Sequence, residues 1–439
     1  MTTQLVTAAP VSQSERILLI DSLRGFAILG ILLMNIPFFA LPPWMGFDPT
    51  INNEVGTINL SVYMFVSVIM NGTQRALFSM LFGAGVILFI GRKETNMQGL
   101  GPADYHVRRQ IWLMVISIID VYILLWNGDI LFDYACYGLI LFAFRNLPGR
   151  KLALSAAICF AFMIARENRD LYQTKSMISQ GKEIAGIDTT KTKLNDKQKA
   201  ALEEMNDMKK LSTGKSKIEK AKEEISVVQG SYGEVYKWRT ENYLSHMVDF
   251  TYLEAWDVLM FMFLGMAFLK MGVFTDEVPV KVYWWMLVIG LVIGIPLSYL
   301  RNTTMLSFNF NFFDLAQHEF VAYHQIERAL RSVGLLGFVM LLYKSGVFGW
   351  LFSLLRPVGQ MALTNYLGQS LLCGFYFNGG YGLGNFGKLE RYEIYIVVLV
   401  VWVIQTIFCN IWMKFFFYGP AEWVWRSLTY WKKQPFRMT

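Results

Sequence analysis

Charge is scarce in this sequence. Only 17% of its 439 residues are Asp, Glu, Lys or Arg, where a soluble chain carries about 25%. Much of that charge is gathered in one segment, so the remainder is poorer still. Hydrophobic residues make up 54%. This excludes a disordered chain and a small disulfide scaffold, and argues against a soluble enzyme. Cysteine is rare too. Cys136, Cys159, Cys373 and Cys409 all lie in apolar runs without C-x-x-C spacing, which reads as buried small hydrophobes. There is no Gly-x-x-x-x-Gly-Lys-Ser/Thr loop, dinucleotide fingerprint or Gly-x-Ser-x-Gly elbow. ATP hydrolysis and serine-esterase chemistry therefore have no support.

What is present is a series of apolar runs near the length of roughly 20 residues that crosses a bilayer. They fall at 17–41, 57–91, 109–126, 129–144, 151–166, 249–270, 282–300, 327–343, 358–377 and 391–413. The run at 57–91 is interrupted by NGTQR and reads as a buried segment 58–71 leading into a helix 74–91. The expected fold class is all-α: a polytopic membrane protein of about ten transmembrane helices. The first apolar run starts at Ile17 and is followed by others, so it reads as a span and not as a leader.

Lys and Arg recur in alternate loops, for example Arg108 and Arg109, Arg145 and Arg150, Lys270 and Lys281, Lys344 and Arg356. The positive-inside rule makes that side cytoplasmic and puts both termini inside, in a bacterial inner membrane. The net charge of +7 is then an orientation signal, and nucleic acid is not an expected partner. Four parts follow: 1–166 with spans one to five; 167–245, a Lys/Glu-rich helical insertion on the outer face; 246–413 with spans six to ten; and 414–439, a cytoplasmic interfacial helix and basic tail. The insertion carries many i,i+4 pairs of opposite charge, as a solvated helical segment does. The expected partners are the lipid bilayer and a small-molecule or lipid-linked substrate, and a homodimer is compatible with the chain.

Polar residues inside apolar runs are expensive and mark pathways or internal pairs. Span one holds Asp21, Arg24 and Asn35. Asp21 and Arg24 are spaced to pair. Arg24 and Asn35 return to within roughly 20° of one face about 16 Å apart, which suits a tunnel or helix packing. Arg75 stands at the break between two runs, where it could hold an anion or close a kink. Asp120, Asp129 and Asp133 gather around the short turn WNGD, as acid/base machinery or as a salt network. The stretch 311–331 contains His318, His324, Glu327, Arg328 and Arg331. Its histidines do not have the His-Glu-x-x-His spacing, so no metal site is expected. His324 with Glu327 could act as acid and base, whereas Glu327 and Arg331 have the spacing of an ion pair. His106 is placed at the cytoplasmic headgroups and His246 at the outer interface. Asn365 and Gln369 suit close helix packing or a polar pocket. Glu422 and Arg426 are spaced as a structural pair on an interfacial helix begun by Pro420.

Several motifs together carry a resemblance. RILLIDSLRGFAILGILLMNI (16–36), FSMLFGAG (78–85), GRKETN leading to YHVRRQ, NGDILFDYACYGLI (127–140), and GQMALTNYLGQS (359–370) followed by GPAEWVWRSLTY (419–430) resemble the YeiB-like bacterial membrane family, domain of unknown function 418. That family is distantly similar to the transmembrane acyltransferases, for which an acyl-CoA such as acetyl-CoA is the cytoplasmic donor. In that wider group an Arg eleven positions before a His lies in span one. Arg24 matches the Arg, but Asn35 stands at the His position, and an amide cannot act as a base. Asp120 likewise stands where the YeiB-like pattern often has His. The resemblance thus implies a donor tunnel lined by Arg24 and Arg75, with Asp129, Asp133 and His324 nearest to acid/base work. Export or transport of a small anionic or lipid-linked metabolite is the alternative expectation, and a non-catalytic membrane protein the third.

Overall fold

The computed structural model describes residues 17–96, 99–188, 190 and 193–438, without the side chains of 96 and 242–254. Among the described residues the regular structure is helical, and the one β-feature is an isolated antiparallel bridge between Phe416 and Arg437. In order, its helices are α1 (Leu18–Ala40), α2 (Pro43–Phe47), α3 (Ile58–Phe65), α4 (Thr73–Asn96), α5 (Gly101–Tyr122), α6 (Leu131–Phe144), α7 (Gly149–Ala185), α8 (Asp196–Leu211) and α9 (Gly214–Val228). They continue as α10 (Tyr232–Lys270), α11 (Val280–Ile289), α12 (Ile295–Ser307), α13 (Phe312–His318), α14 (His324–Lys344), α15 (Gly349–Gln360), α16 (Ala362–Phe377), α17 (Arg391–Trp412) and α18 (Pro420–Tyr430). π-helical turns Val66–Met70 and Gly290–Gly294 follow α3 and α11.

Among the described residues four helical stretches are long and apolar enough to cross a membrane: Leu18–Ala40, Ile58–Thr95, Val280–Ser307 and Arg391–Trp412. The expected count of about ten is not met on length and composition. The physical reason lies in the other helices. Some are short, such as α6 with 14 residues and α16 with 16. Others carry ionised groups on a covered face, as α14 does with Glu327, Arg328 and Arg331. A helix shielded by neighbours can hold such groups, whereas one facing lipid cannot.

α1 is the axis of the bundle. Its most apolar window is 67% buried, against 22% for Val280–Ser307 and 28% for α17. The last two present exposed apolar side chains such as Leu291, Val292, Leu399 and Val403, the surface a bilayer would cover. α1 crosses α15 at glycines. A Cβ on Gly25 would stand 2.1 Å from the Leu355 carbonyl oxygen, and one on Gly359 would stand 1.8 Å from that of Asp21. Small residues permit this backbone approach, as they do wherever membrane helices pack closely.

The connections alternate between two ends of the bundle. At one end Glu94 pairs with Arg145, Lys270 donates to the carbonyls of Arg145 and Leu147, and Lys344 pairs with Asp276. At the other, Glu54 pairs with Arg391, Gly387 N–H reaches the Ala40 carbonyl, and Tyr381 donates to the Leu124 carbonyl.

The charged insertion belongs to this second end. It is not detached from the bundle: α7 and α10 run continuously from the apolar core into it. Asn195 and Ser231 form capping boxes that start α8 and α10, each satisfying amides that a helix start leaves open. Lys217, 1% exposed, is 2.7 Å from both Asp48 and the Phe310 carbonyl oxygen. Arg239 donates to the Leu125 carbonyl, and Gln229 to that of Phe386.

Removing one partner of a buried ion pair costs about 3–5 kcal/mol. Lys217→Met should therefore lower the denaturation midpoint, and adding Asp48→Asn should restore part of the loss. A second expectation concerns pH. Burial pushes the Glu224 carboxyl of α9 up to about 7, opposed by Arg239, against about 4.3 in an unfolded chain. Folding therefore favours the neutral acid, and this contribution is lost as pH rises through 7. The protein should melt higher at pH 6 than at pH 8, with the difference narrowed in Glu224→Gln.

Candidate cationic cavity

A cavity of about 230 Å³ opens at the end where the basic loops meet. Its walls come from α1, α4, α5, α6, α15, α16 and α18. Four guanidinium groups line it, Arg24, Arg92, Arg109 and Arg426, against two carboxylates, Asp21 and Glu422. Along α4 the lining runs from Phe78 to Arg92, an axial distance of about 21 Å at 1.5 Å per residue. The mouth is cationic and the depth is apolar and aromatic, with Phe78, Phe82, Leu131, Tyr134 and Tyr366. Tyr134 closes the deep end, its hydroxyl 2.5 Å from that of Ser79.

Arg24, Arg109 and Arg426 are each held by a local cause. Arg24 lies 3.1 Å from Asp21 one turn away, and its guanidinium rests against Gly85, where a Cβ would stand 3.2 Å from it. Arg109 lies between the Phe89 and Trp425 rings, at 4.7 and 4.2 Å. Arg426 covers the Tyr418 ring at 4.6 Å. Such cation–π contacts hold a cation without neutralising it. The amphipathic helix α18 lies across the mouth, fastened by the Trp425 indole N–H to the Arg109 carbonyl at 2.9 Å.

Glu422 and Arg426 do not form the expected pair. Glu422 accepts from the backbone N–H groups of Leu363 and Thr364, at 2.7 and 3.0 Å, and from the Thr364 hydroxyl at 2.5 Å. The open amides at the start of α16 are the stronger claim on a buried carboxylate. This leaves Arg426 to the cavity. His106 also departs from expectation. It is 1% exposed and lines the cavity instead of lying among headgroups. Its Nε2 is 2.8 Å from the Gly138 carbonyl oxygen, while Nδ1 is buried with no described partner. A neutral ring that donates through Nε2 keeps an acceptor lone pair on Nδ1.

The other expected site residues fall elsewhere. Asn35 is not among the cavity residues, so the Arg24–Asn35 stripe is not one open tunnel. Asp129 accepts from the first amides of α6, Leu131 and Phe132, at 3.1 and 3.3 Å, and from the Ser117 hydroxyl. That is the bonding of a helix cap. Asp133 is buried on α6, and Asp120 is fully buried with Ser370 donating to it at 3.2 Å. Asn365 donates to the Val358 carbonyl, and Gln369 to Ile28 and Gln405, so both tie helices together. His318 ends α13 beside the Phe308 ring, whereas His324 begins α14. The side chain of His246 lies outside the described residues.

A second polar cluster lies beyond Tyr134. Asp257 of α10 takes Arg75 at 2.5 Å and also Arg328. Glu327 takes His324 at 2.9 Å, Arg331 at 3.2 Å and Arg301 at 3.9 Å. Arg331 also reaches the Val68 carbonyl at 3.1 Å, within the π-helical turn. Sequence reasoning missed Asp257, which lies near the middle of the apolar run 249–270, and missed Arg92 and Arg109 as lining groups. Their loop positions signalled only orientation. Asp257→Asn should cost about 3–5 kcal/mol, since it removes the charge that buried Arg328 shares with half-buried Arg75. Thermal melting in detergent reads this; an unchanged midpoint would remove the structural role.

Residues 268–432 match the family described as "Protein of unknown function (DUF418)". The chain is 25% identical to "Uncharacterized protein YxaH" of Bacillus subtilis (strain 168), over 97% of both chains. It is 26% identical to "Uncharacterized protein YeiB" of Escherichia coli (strain K12), over 94% of this chain and 96% of that one. A 39.9 kDa protein encoded in the amylase 3' region of Bacillus acidopullulyticus, also described as uncharacterized, is 26% identical over 97% of both. No solved structure matches. Residues 268–432 thus carry a DUF418 region, and the chain is similar over nearly its whole length to the uncharacterized proteins YxaH and YeiB.

Proposed function

We propose that this chain is an inner-membrane protein of ten crossings that binds an anionic acyl carrier, an acyl-CoA such as acetyl-CoA, from the cytoplasm. The carrying observation is the cavity: four guanidinium groups against two carboxylates at one mouth, and an apolar aromatic depth ending at Tyr134. The alternation of connections between two ends supports ten crossings. The basic loops support a cytoplasmic mouth and cytoplasmic termini. At about 230 Å³ the cavity is below the roughly 300–1,000 Å³ of drug-sized pockets. It suits the acyl end of a carrier whose bulk stays outside.

Arg24, Arg109 and Arg426 would receive phosphate or thioester oxygens as charge-assisted donors. His106 is the imidazole in the lining. In acyl transfer its Nδ1 would take the proton of an acceptor hydroxyl as the C–O bond forms and the C–S bond breaks, then return it to the thiolate. An outer-face acceptor would require the Tyr134–Ser79 contact to open. Transport of a small anionic metabolite is the second reading. What favours it is the further arginine cluster, Arg75, Arg301, Arg328 and Arg331, beyond that same contact.

Calorimetry on protein in lipid nanodiscs should give saturable acetyl-CoA binding. A lost charged hydrogen bond is worth about 1.5–3 kcal/mol, so Arg24→Gln and Arg109→Gln should each weaken it roughly 10- to 100-fold. His106→Gln should leave binding intact and abolish turnover of labelled acyl-CoA. Saturable anion flux in liposomes without acetyl-CoA binding would replace acyl transfer by transport.

A further inference from the structure

A second hollow, of about 570 Å³, opens at the same basic end but on the opposite face of α1. Leu18 and Ser22 face it, whereas Asp21 and Arg24 face the cavity described above. Its charged groups are Asp276, Lys344 and Arg356, and the hydroxyls of Ser22, Tyr343 and Ser353 also line it. Lys344 is already neutralised, 2.7 Å from Asp276. Arg356 is not. Among the described residues it makes no ion pair, and its Nε is buried with no hydrogen-bond partner. Arg356 is half-buried, so its guanidinium keeps charged donors free for a group from outside the chain.

The surroundings identify what that is. Val280 lines the hollow, and Trp284 lies one turn further along α11. On α15 Trp350 stands one turn before Ser353. Trp284 is 55% exposed and Trp350 66% exposed. Exposed tryptophans beside a basic hollow at the cytoplasmic end mark the headgroup level of a bilayer. Basic pockets between helices on that side hold anionic lipid heads.

We propose that this hollow is a binding site for an anionic phospholipid. Its phosphodiester completes Arg356, with the Ser353 hydroxyl as a further donor. Its acyl chains lie along the Val280–Trp284 and Trp350 surface. With Lys344 cancelled by Asp276, a single negative headgroup balances the site. The proposal rests on the membrane placement and not on any ligand of the Arg24 cavity.

The test uses the full chain purified in detergent, with phosphatidylglycerol, phosphatidylcholine and inorganic phosphate as probes. Phosphatidylglycerol should raise the melting temperature and stay bound in native mass spectra, whereas phosphatidylcholine should not. Arg356→Gln should weaken phosphatidylglycerol binding roughly tenfold or more, with Arg356→Lys retaining most of it. Without lipid, Arg356→Gln should melt as the parent does, since Arg356 has no described protein partner. Ser353→Trp, which fills the hollow from an exposed position, should block the lipid independently of charge. Equal response to both lipids, or unchanged phosphatidylglycerol affinity in Arg356→Gln and Ser353→Trp, overturns the proposal. Full competition by millimolar inorganic phosphate overturns it in favour of a free-anion site.

Discussion

The interior of this bundle depends on one carboxylate held between two arginines. Asp257 on α10 takes Arg75 from α4 and Arg328 from α14. An isolated ion in an apolar interior costs far more than any single helix contact returns. The three helices must therefore arrive together, with their charged ends at one level. Below that level α4 and α10 cross tightly, with a Cβ on Gly83 only 2.1 Å from the Met262 carbonyl oxygen. Position along the helices is set by charge, and their separation by glycine.

The same constraint governs nearly every other buried carboxylate. Asp129 and Glu422 each satisfy the open amides of a helix start, α6 and α16. Asp48 and Glu54 bind Lys217 and Arg391, anchoring the loop after α1 to the insertion and to α17. Against this background the cavity is the exception. Two of its cations, Arg109 and Arg426, lie against aromatic rings, which supply attraction without cancelling charge, whereas Arg24 pairs with Asp21. Four guanidinium groups against two carboxylates leave an excess of positive charge along this lining.

The helical, membrane-type character was legible in the sequence because it rests on composition and run length. So was Arg24, whose position in an apolar run demands a reason. What could not be read was convergence. Arg92 and Arg109 stand in loop-flanking positions, where a basic residue is ordinarily an orientation signal. They become cavity groups only because α18, more than 300 residues later, folds back over α5. Glu422 and Arg426 have ideal spacing for a pair, yet local spacing was overruled by the amides of α16. The cavity draws Arg24, Arg92 and Arg109 from outside residues 268–432 and Arg426 from inside that matched region. Neither part of the chain contains the site alone.

The insertion follows the same logic at the other end. Leu125 and Phe310 have φ of 58° and 52°, a left-handed backbone that bulky residues adopt only when their surroundings impose it. Both carbonyls are taken by cations of the insertion, Leu125 by Arg239 and Phe310 by Lys217. The strained turns and the cations that hold them are separated by 114 and 93 residues in sequence. Composition alone would assign 167–245 to a solvated appendage, since most of its charges do face outward. The few that turn inward join it to the loops that end the core helices. One end of the bundle is therefore closed by the most polar segment of the chain, and the cationic cavity opens at the other.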